Sequence, residues 1–290
     1  MKVLLRILRF LEAINKMPKE PLWELDGFHV EHFDVIDSTN SECKRRLKKL
    51  VDFNTLHKTV LVADMQTNGR GRLNRKFYSP ANTGLYFSMI YTSGNFDVPA
   101  KITASAAVAV CRAVKEVFAQ ECSIKWVNDI FFNNKKICGI LTEGMISPNK
   151  EKIGAVVIGI GINLLWNNEI PKDLQNSAGA ILQNKKNSIQ DFNFQEKKIF
   201  LFKKILFFLA DILDGSEQNL KSAFVEYKKR SNLIGKRVEV SPVIGQNKTN
   251  YFCTVLDISS SAGLIVRTDD GLQKELDSGE VTLHSSFLVQ

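Results

Sequence analysis

Three arginines and a lysine fall within seven residues in Arg70-Gly71-Arg72-Leu73-Asn74-Arg75-Lys76, part of a longer stretch from Gln66 to Pro80. Gly69 and Gly71 alternate with the first two arginines. Arginine presents a planar fork of donors that fits phosphate or carboxylate, and glycine lets backbone approach a ligand closely. The stretch reads as an anion-handling loop, one that could order only when its anion arrives; the competing reading is a solvated basic turn. A second dense stretch, Lys125-Trp126-Val127-Asn128-Asp129, puts two polar residues inside an apolar run. Buried polar groups must be paired or face a site. Lys136 stands seven positions after Asp129 and opens Lys136-Ile137-Cys138-Gly139-Ile140-Leu141-Thr142-Glu143.

Two further groups could bind a ligand. Gly159-Ile160-Gly161-Ile162-Asn163 ends an apolar run, and glycine inside a strand suggests close approach of ligand or backbone. It is not a dinucleotide fingerprint, because the third glycine is missing and no helix clearly follows. Gly159 and Gly161 could equally be packing glycines. Ser38-Thr39-Asn40, with Glu42 just beyond, opens a Lys/Arg-rich stretch and signals a helix N-cap. A helix N-terminus also offers unsatisfied N–H groups to an anion.

The elements that would position these residues follow from patterning. Residues 28–36, 59–65 and 85–91 read as strands, and 99–119 as a helix of small apolar residues packed closely on a sheet. Residues 124–132 read as one strand returning through an Asn133-Asn134 turn as a strand over 137–143, a hairpin. Residues 153–164 read as a buried strand. A small helical segment is expected around Leu174 to Leu182, then helices over 195–213 and 217–230. From 233 the pattern changes to short alternating strands separated by Gly, Asp and Ser turns, which predicts a small β-barrel domain. Residues 1–26 form a lead-in, with a helix conceivable over Met1 to Ile14.

Composition bounds the rest. The chain has 290 residues, 44% hydrophobic and 24% charged, with a net charge of +8. That balance permits a nucleic acid, a nucleotide or an acidic protein as partner. The five cysteines include no Cys-x-x-Cys pair, which argues against a disulfide framework or a zinc site and suits a reducing compartment. His29 and His32 lack an acid or cysteine cluster that would support a metal. No apolar run reaches transmembrane length, so a cytoplasmic protein without a membrane partner is expected.

Gly69-Arg70-Gly71-Arg72, Lys125 to Asp129, Lys136 to Glu143 and Gly159 to Asn163 occur in that order, with Ser38-Thr39-Asn40 upstream and a small β domain downstream. This constellation resembles the biotin protein ligases over roughly residues 30–285. The resemblance implies an α+β fold: a mixed-sheet catalytic domain with flanking helices, of the class II synthetase and biotin/lipoyl ligase type, over 27–232, and a C-terminal β-barrel domain over 233–290. It implies two half-reactions. Biotin and Mg-ATP give biotinyl-5′-AMP, and a lysine of a biotin carboxyl carrier domain then displaces AMP. ATP, Mg2+ arriving with it, and biotin as substrate are the expected small molecules; metal ligands are not readable.

The resemblance also distributes roles. Ser38, Thr39, Asn40 and Gln66 fall at the biotin head. Arg70, Gly71 and Arg72 form the loop that closes over the adenylate. Arg75 and Phe77 lie on its nucleotide side, Asn128 meets the adenine, and Asn163 belongs to the nucleotide region. Lys136 reaches the biotin carboxylate and the α-phosphate, and Gly139 lines the pocket. Arg72, Lys136 and Asp129 are the expected catalytic residues, Asp129 orienting or deprotonating the acceptor amine. A structural role for Asp129 beside an arginine is the alternative. Trp126 is expected to be core and Lys125 surface or carrier-facing. Val127 stands where the family usually has proline, Phe77 where tryptophan is common, and Cys138 where a small residue such as alanine is usual. Regulatory members carry an N-terminal DNA-binding domain; none is expected here, and so no operator binding. Family members often dimerise through the sheet edge, so a homodimer is allowed. The runner-up is a lipoate–protein ligase, which would carry a different Gly-rich basic motif. A basic nucleic-acid-binding protein is the alternative of another class, but the aromatics sit in apolar strands and in the 199–208 helix rather than among the basic residues.

Overall fold

Strands β1 (His29–Ile36), β2 (Thr59–Gln66), β3 (Gly84–Tyr91), β4 (Ser123–Lys125), β5 (Asp129–Phe132), β6 (Lys135–Ile146) and β7 (Ile153–Asn163) form one seven-stranded sheet. Its order is β1-β2-β3-β7-β6-β5-β4. β1 and β2 run parallel, and the other neighbours are antiparallel. The computed structural model describes residues 25–94, 96, 98–148, 152–167, 169–182, 192–241, 249–277 and 279–283. The helix conceived over Met1 to Ile14 lies outside them, as does all of the lead-in before residue 25.

Helices cover both faces of the sheet. α2 (Pro99–Phe118), α3 (Phe192–Leu213) and α4 (Glu217–Lys229) share one apolar cluster with Val60, Val62, Leu85, Phe87 and Met89. On the other face, Leu61, Ile90, Ala155 and Val157 meet Cys43 and Leu47 of α1 (Thr39–Leu47). Strand side chains alternate between faces, which is why neighbours such as Val60 and Leu61 fall in different clusters. β3 is buried along its whole length, so it reads as a continuous apolar run rather than an alternating one.

The C-terminal strands β8 (Arg237–Ser241), β9 (Tyr251–Ile258), β10 (Leu264–Thr268), β11 (Gln273–Leu276) and β12 (Glu280–Thr282) form an antiparallel sheet in the order β11-β10-β9-β8-β12. Polar contacts among the described residues tie it to the rest of the fold. The Trp126 indole N–H donates to Ala262 O at 2.7 Å, and Lys228 Nζ donates to Asp257 Oδ2 at 2.9 Å.

Two expected elements come out differently. The single strand over 124–132 is divided into β4 and β5, which pair with each other across a Trp126-Val127-Asn128 turn. The Trp126–Val127 peptide is cis, and the Tyr227 hydroxyl of α4 donates to Val127 O at 3.0 Å. The helix expected around Leu174 to Leu182 is a run of turns instead. Its backbone groups bond outward: Lys136 N to Ser177 O at 2.9 Å, Gly179 N to Lys136 O at 2.8 Å, and Leu182 N to Leu164 O at 2.8 Å. The hairpin turn between β5 and β6 is as expected, with Asn133 and Asn134 at φ 49° and 59°, the pair of positive values that a two-residue hairpin loop requires. No helix among the described residues is long and apolar enough to cross a membrane.

Candidate active site

The floor of the site is set by register. Ser88 of β3, Gly159 of β7 and Leu141 of β6 stand side by side, and so do Tyr86, Gly161 and Gly139. A Cβ on Gly159 would lie 1.9 Å from Asn40 Oδ1, and one on Gly161 would lie 2.4 Å from the Phe77 ring. The glycines therefore leave a trough in the sheet surface. Asn40, from the first turn of α1, and Phe77, from the basic stretch, enter it.

One end of the trough carries a chain of uncharged hydrogen bonds. Ser38 caps α1, its hydroxyl accepting from Ser41 N at 3.4 Å. That places Thr39 and Asn40 over the strands. Thr39 N donates to Gln66 Oε1 at 2.9 Å, and the Thr39 and Ser88 hydroxyls are 2.7 Å apart. Ser88 donates to Asn40 Oδ1 at 2.5 Å, and Gln66 Nε2 donates to Ser79 Oγ at 3.0 Å. Thr39, Asn40 and Ser88 are all at most 5% exposed, so each group's partner matters: a buried polar group left unpaired costs about 1–3 kcal/mol.

The basic stretch forms the roof. It is a hairpin-like excursion between β2 and β3, with Phe77 N bonded to Gly69 O and Gly71 N to Arg75 O, both at 2.8 Å. A short ladder of backbone hydrogen bonds holds its two sides together. Leu73 and Asn74 at the tip take left-handed backbone, φ 56° and 59°, and Leu73 to Lys76 are exposed. Arg70 Nη1 bonds Glu143 Oε2 at 2.9 Å, and Arg72 Nη1 bonds Asn128 Oδ1 at 3.1 Å. The roof is thus pinned to opposite walls.

At the other end, Lys136 Nζ lies 2.7 Å from Asp129 Oδ1. β5 and β6 are neighbouring strands, so their pairing brings this ion pair together. Asn128, in the tight turn before β5, uses its amide to donate to Ile140 O at 3.0 Å while its carbonyl holds Arg72. It does not interrupt a strand; the turn aims it. Glu143 is held below the usual carboxylate range. Burial would raise it, and the hydrogen bonds from Lys44 and Asn40, with the charges of Lys44 and Arg70, outweigh that. Burial pushes the Cys138 thiol well up, so it is an inert small apolar residue of β6.

A cavity of about 380 Å³ lies between floor and roof. Ser38, Thr39, Asn40, Gln66, Arg70, Gly71, Arg72, Arg75, Phe77, Asn128, Asp129, Lys136 and Gly139 all line it. Lys125 and Trp126 line it too, and so do Gly279, Val281 and Thr282 at the edge of the C-terminal sheet. Trp126 is also core, 5% exposed. Asn163 is absent from the lining. Its amide donates to Gly179 O at 3.0 Å and so fastens the 178–182 turns against β7. Asp129 pairs with a lysine rather than an arginine. Two residues not singled out from the sequence matter to the geometry. Ser88 was signalled only as one hydroxyl in an apolar strand, and Glu143 only as an acid ending a largely apolar one.

These features agree with comparisons against known proteins. A family profile described as the biotin/lipoate A/B protein ligase family matches residues 32–163. The Bacillus subtilis bifunctional ligase/repressor BirA is 29% identical over 256 residues, 87% of this chain and 73% of its own length. The Mycobacterium tuberculosis biotin–[acetyl-CoA-carboxylase] ligase is 27% identical, over 74% of this chain and 76% of its own length. Among solved structures, the Aquifex aeolicus biotin protein ligase in complex with biotin and ATP superposes with a TM-score of 0.66 and 28% identity, over 88% of this chain and 98% of that one. Fold, order of motifs and relatives point the same way: residues 32–163 match the biotin/lipoate A/B protein ligase family, and most of the chain is similar to biotin protein ligases.

Proposed function

We propose that the cavity joins biotin to ATP and then passes the biotinyl group to a lysine of a biotin carboxyl carrier domain of a carboxylase. The observation that supports the reading most is that one cavity is lined both by Thr39 and Asn40, which the buried Ser88 hydroxyl links beneath it, and by the Lys136–Asp129 pair, under a roof carrying Arg70 and Arg72. The uncharged head of biotin suits the first end. Its carboxylate and the α-phosphate suit the second.

In the first step a biotin carboxylate oxygen attacks the α-phosphorus and pyrophosphate leaves. Two anions must meet, so Lys136 and Arg72 lie where they neutralise both and stabilise charge that builds at phosphorus. In the second step the carrier lysine attacks the acyl carbon of the mixed anhydride, an amide forms and AMP departs. That amine, with an ordinary pKa of about 10.4, must lose a proton before it can attack. Asp129, beside Lys136, is the carboxylate we assign to orient or accept from it. Phe77 and Arg75 flank the nucleotide side. The roof keeps water from the anhydride, a lid's role.

Magnesium would enter with the ATP phosphates. Among the described residues the one group of three or more His, Cys, Asp or Glu side chains near enough to share an ion is His32, Asp34 and Asp64, an acid cluster that strand pairing builds at His32 against the sequence expectation of none; none of the three lines the cavity. A protein-built three-ligand magnesium site in the cavity therefore does not fit, and each step above uses the chain's own groups. We further assign residues 27–232 to the catalytic unit and 233–290 to the C-terminal domain, whose Val281 and Thr282 close one edge of the cavity. The test is biotin-dependent exchange of labelled pyrophosphate into ATP, with lipoate in parallel. Exchange with biotin alone is expected. Exchange with lipoate alone, or with neither, overturns the proposal.

A further inference from the structure

We infer that Glu143 is a positioning residue that latches the basic roof over the Thr39 end of the cavity, acting through Arg70 and Asn40. The inference rests on the ligase reading and deepens it. Glu143 projects from β6 with its side chain 18% exposed. Its Oε1 accepts from Lys44 Nζ at 2.7 Å. Its Oε2 accepts from Arg70 Nη1 at 2.9 Å and from Asn40 Nδ2 at 3.1 Å. One carboxylate thus fastens strand, roof and helix together.

The consequences follow from charge. Lys44 and Arg70 converge on this carboxylate, each side chain 30% exposed or less. Without its negative charge two cations would face each other in a partly buried place, and Arg70 would have reason to swing away. Asn40 would lose an acceptor in the same event. Asn40 is the side chain that fills the trough over Gly159 and takes the Ser88 hydrogen bond, so roof position and head recognition are coupled through Glu143. The arrangement also reassigns Arg70. Its guanidinium is engaged by the protein's own anion, so it holds the loop in place while Arg72 and Lys136 face the reacting groups. The Glu143 carboxylate touches no reacting atom, and its contribution is retention of biotin and of the adenylate.

The test uses the full chain and the variants Glu143→Gln, Arg70→Gln and the double variant. Three quantities are read: kcat and biotin KM in pyrophosphate exchange, release of labelled biotinyl-AMP from enzyme loaded in a single turnover, and Tm. Each single variant is expected to raise biotin KM and adenylate release on the order of tenfold, the scale of one charge-assisted hydrogen bond, with KM rising more than kcat falls. The double variant should be no worse than the poorer single one, because both remove one interaction. Glu143→Asp, which keeps the charge and shortens its reach, should leak less than Glu143→Gln, and it serves if the neutral variant fails to fold. Release at the wild-type rate in the single variants and in Glu143→Asp, or effects that multiply in the double variant, overturns the latch. A wild-type protein that exchanges with biotin while the variants behave like it defeats the latch alone. A wild type silent with biotin defeats the ligase reading beneath it.

Discussion

At the Thr39 end of the cavity, uncharged side chains bond one another in sequence: Gln66 to Thr39, Thr39 to Ser88 and Ser88 to Asn40. At the Lys136 end the groups are ionic, and the roof tip from Leu73 to Lys76 is exposed. The first end is pre-organised: its buried groups are held by the protein, and a ligand that matches them need not order them. The second end holds its cations by Asp129 and Asn128, and in the proposed reaction fixed charge aimed at developing charge is what lowers the barrier. On the proposed reading, binding and chemistry are separated along one trough, with Glu143 and the roof hairpin joining them.

Substitutions should divide along that line. The largest effect is expected from Lys136→Ala, a fall in kcat for pyrophosphate exchange on the order of 10³-fold with biotin affinity changed far less. Arg72→Ala should behave alike, and a calorimetric biotin titration beside the kinetics reads the split. If biotin affinity falls as far as kcat, the two ends are not separable. Gly159→Ala is the converse: the added methyl would meet Asn40 Oδ1 at 1.9 Å, and overpacking of this kind costs about 1–3 kcal/mol. Biotin affinity should drop by tenfold or more. An unchanged affinity would show that Asn40 moves freely and that the first end is not rigid.

Trp126→Phe sharpens the comparison at the C-terminal sheet. It keeps the ring but removes the indole bond to Ala262 O, a loss of about 1 kcal/mol or somewhat more in denaturant unfolding. ATP KM should rise and biotin Kd should not. The smallest expected effect is the response to acid. Glu143 has a carboxyl held below its ordinary value. A group lowered on folding contributes stability that is present above its unfolded pKa and is lost as pH falls through the folded one. Biotin binding should therefore stay level from about pH 8 to about pH 5 as far as Glu143 is concerned, and weaken only in stronger acid. In Glu143→Gln the acid limb of the binding profile should flatten; a limb unchanged by that variant would assign it to another carboxylate.

Much was legible in the chain itself where the physics is local. The Ser38 cap and the Asn133-Asn134 turn rest on groups a few residues apart, and a cap or a turn needs little else. The alternation of the last strands and the apolar period of α2 likewise declare which faces are buried. Charge density marked the roof, and the order of the motifs marked the family. Tertiary structure alone decided the rest, because it depends on pairs distant in sequence. Register across β3, β7 and β6 set Ser88, Gly159 and Leu141 in one row and so made the trough. Packing by Tyr227 and Ala262 fixed the turn that aims Asn128, which sequence pattern had read as strand. Asn163 is bonded to the 178–182 stretch through Gly179 O. Glu143 found partners 73 to 103 positions away, and no spacing rule reaches that far. The sequence by itself determined which chemical groups the chain owns and where its local turns and caps fall; folding decided which groups stand within a hydrogen bond of one another, since that distance is fixed by sheet register and packing, not by position along the chain.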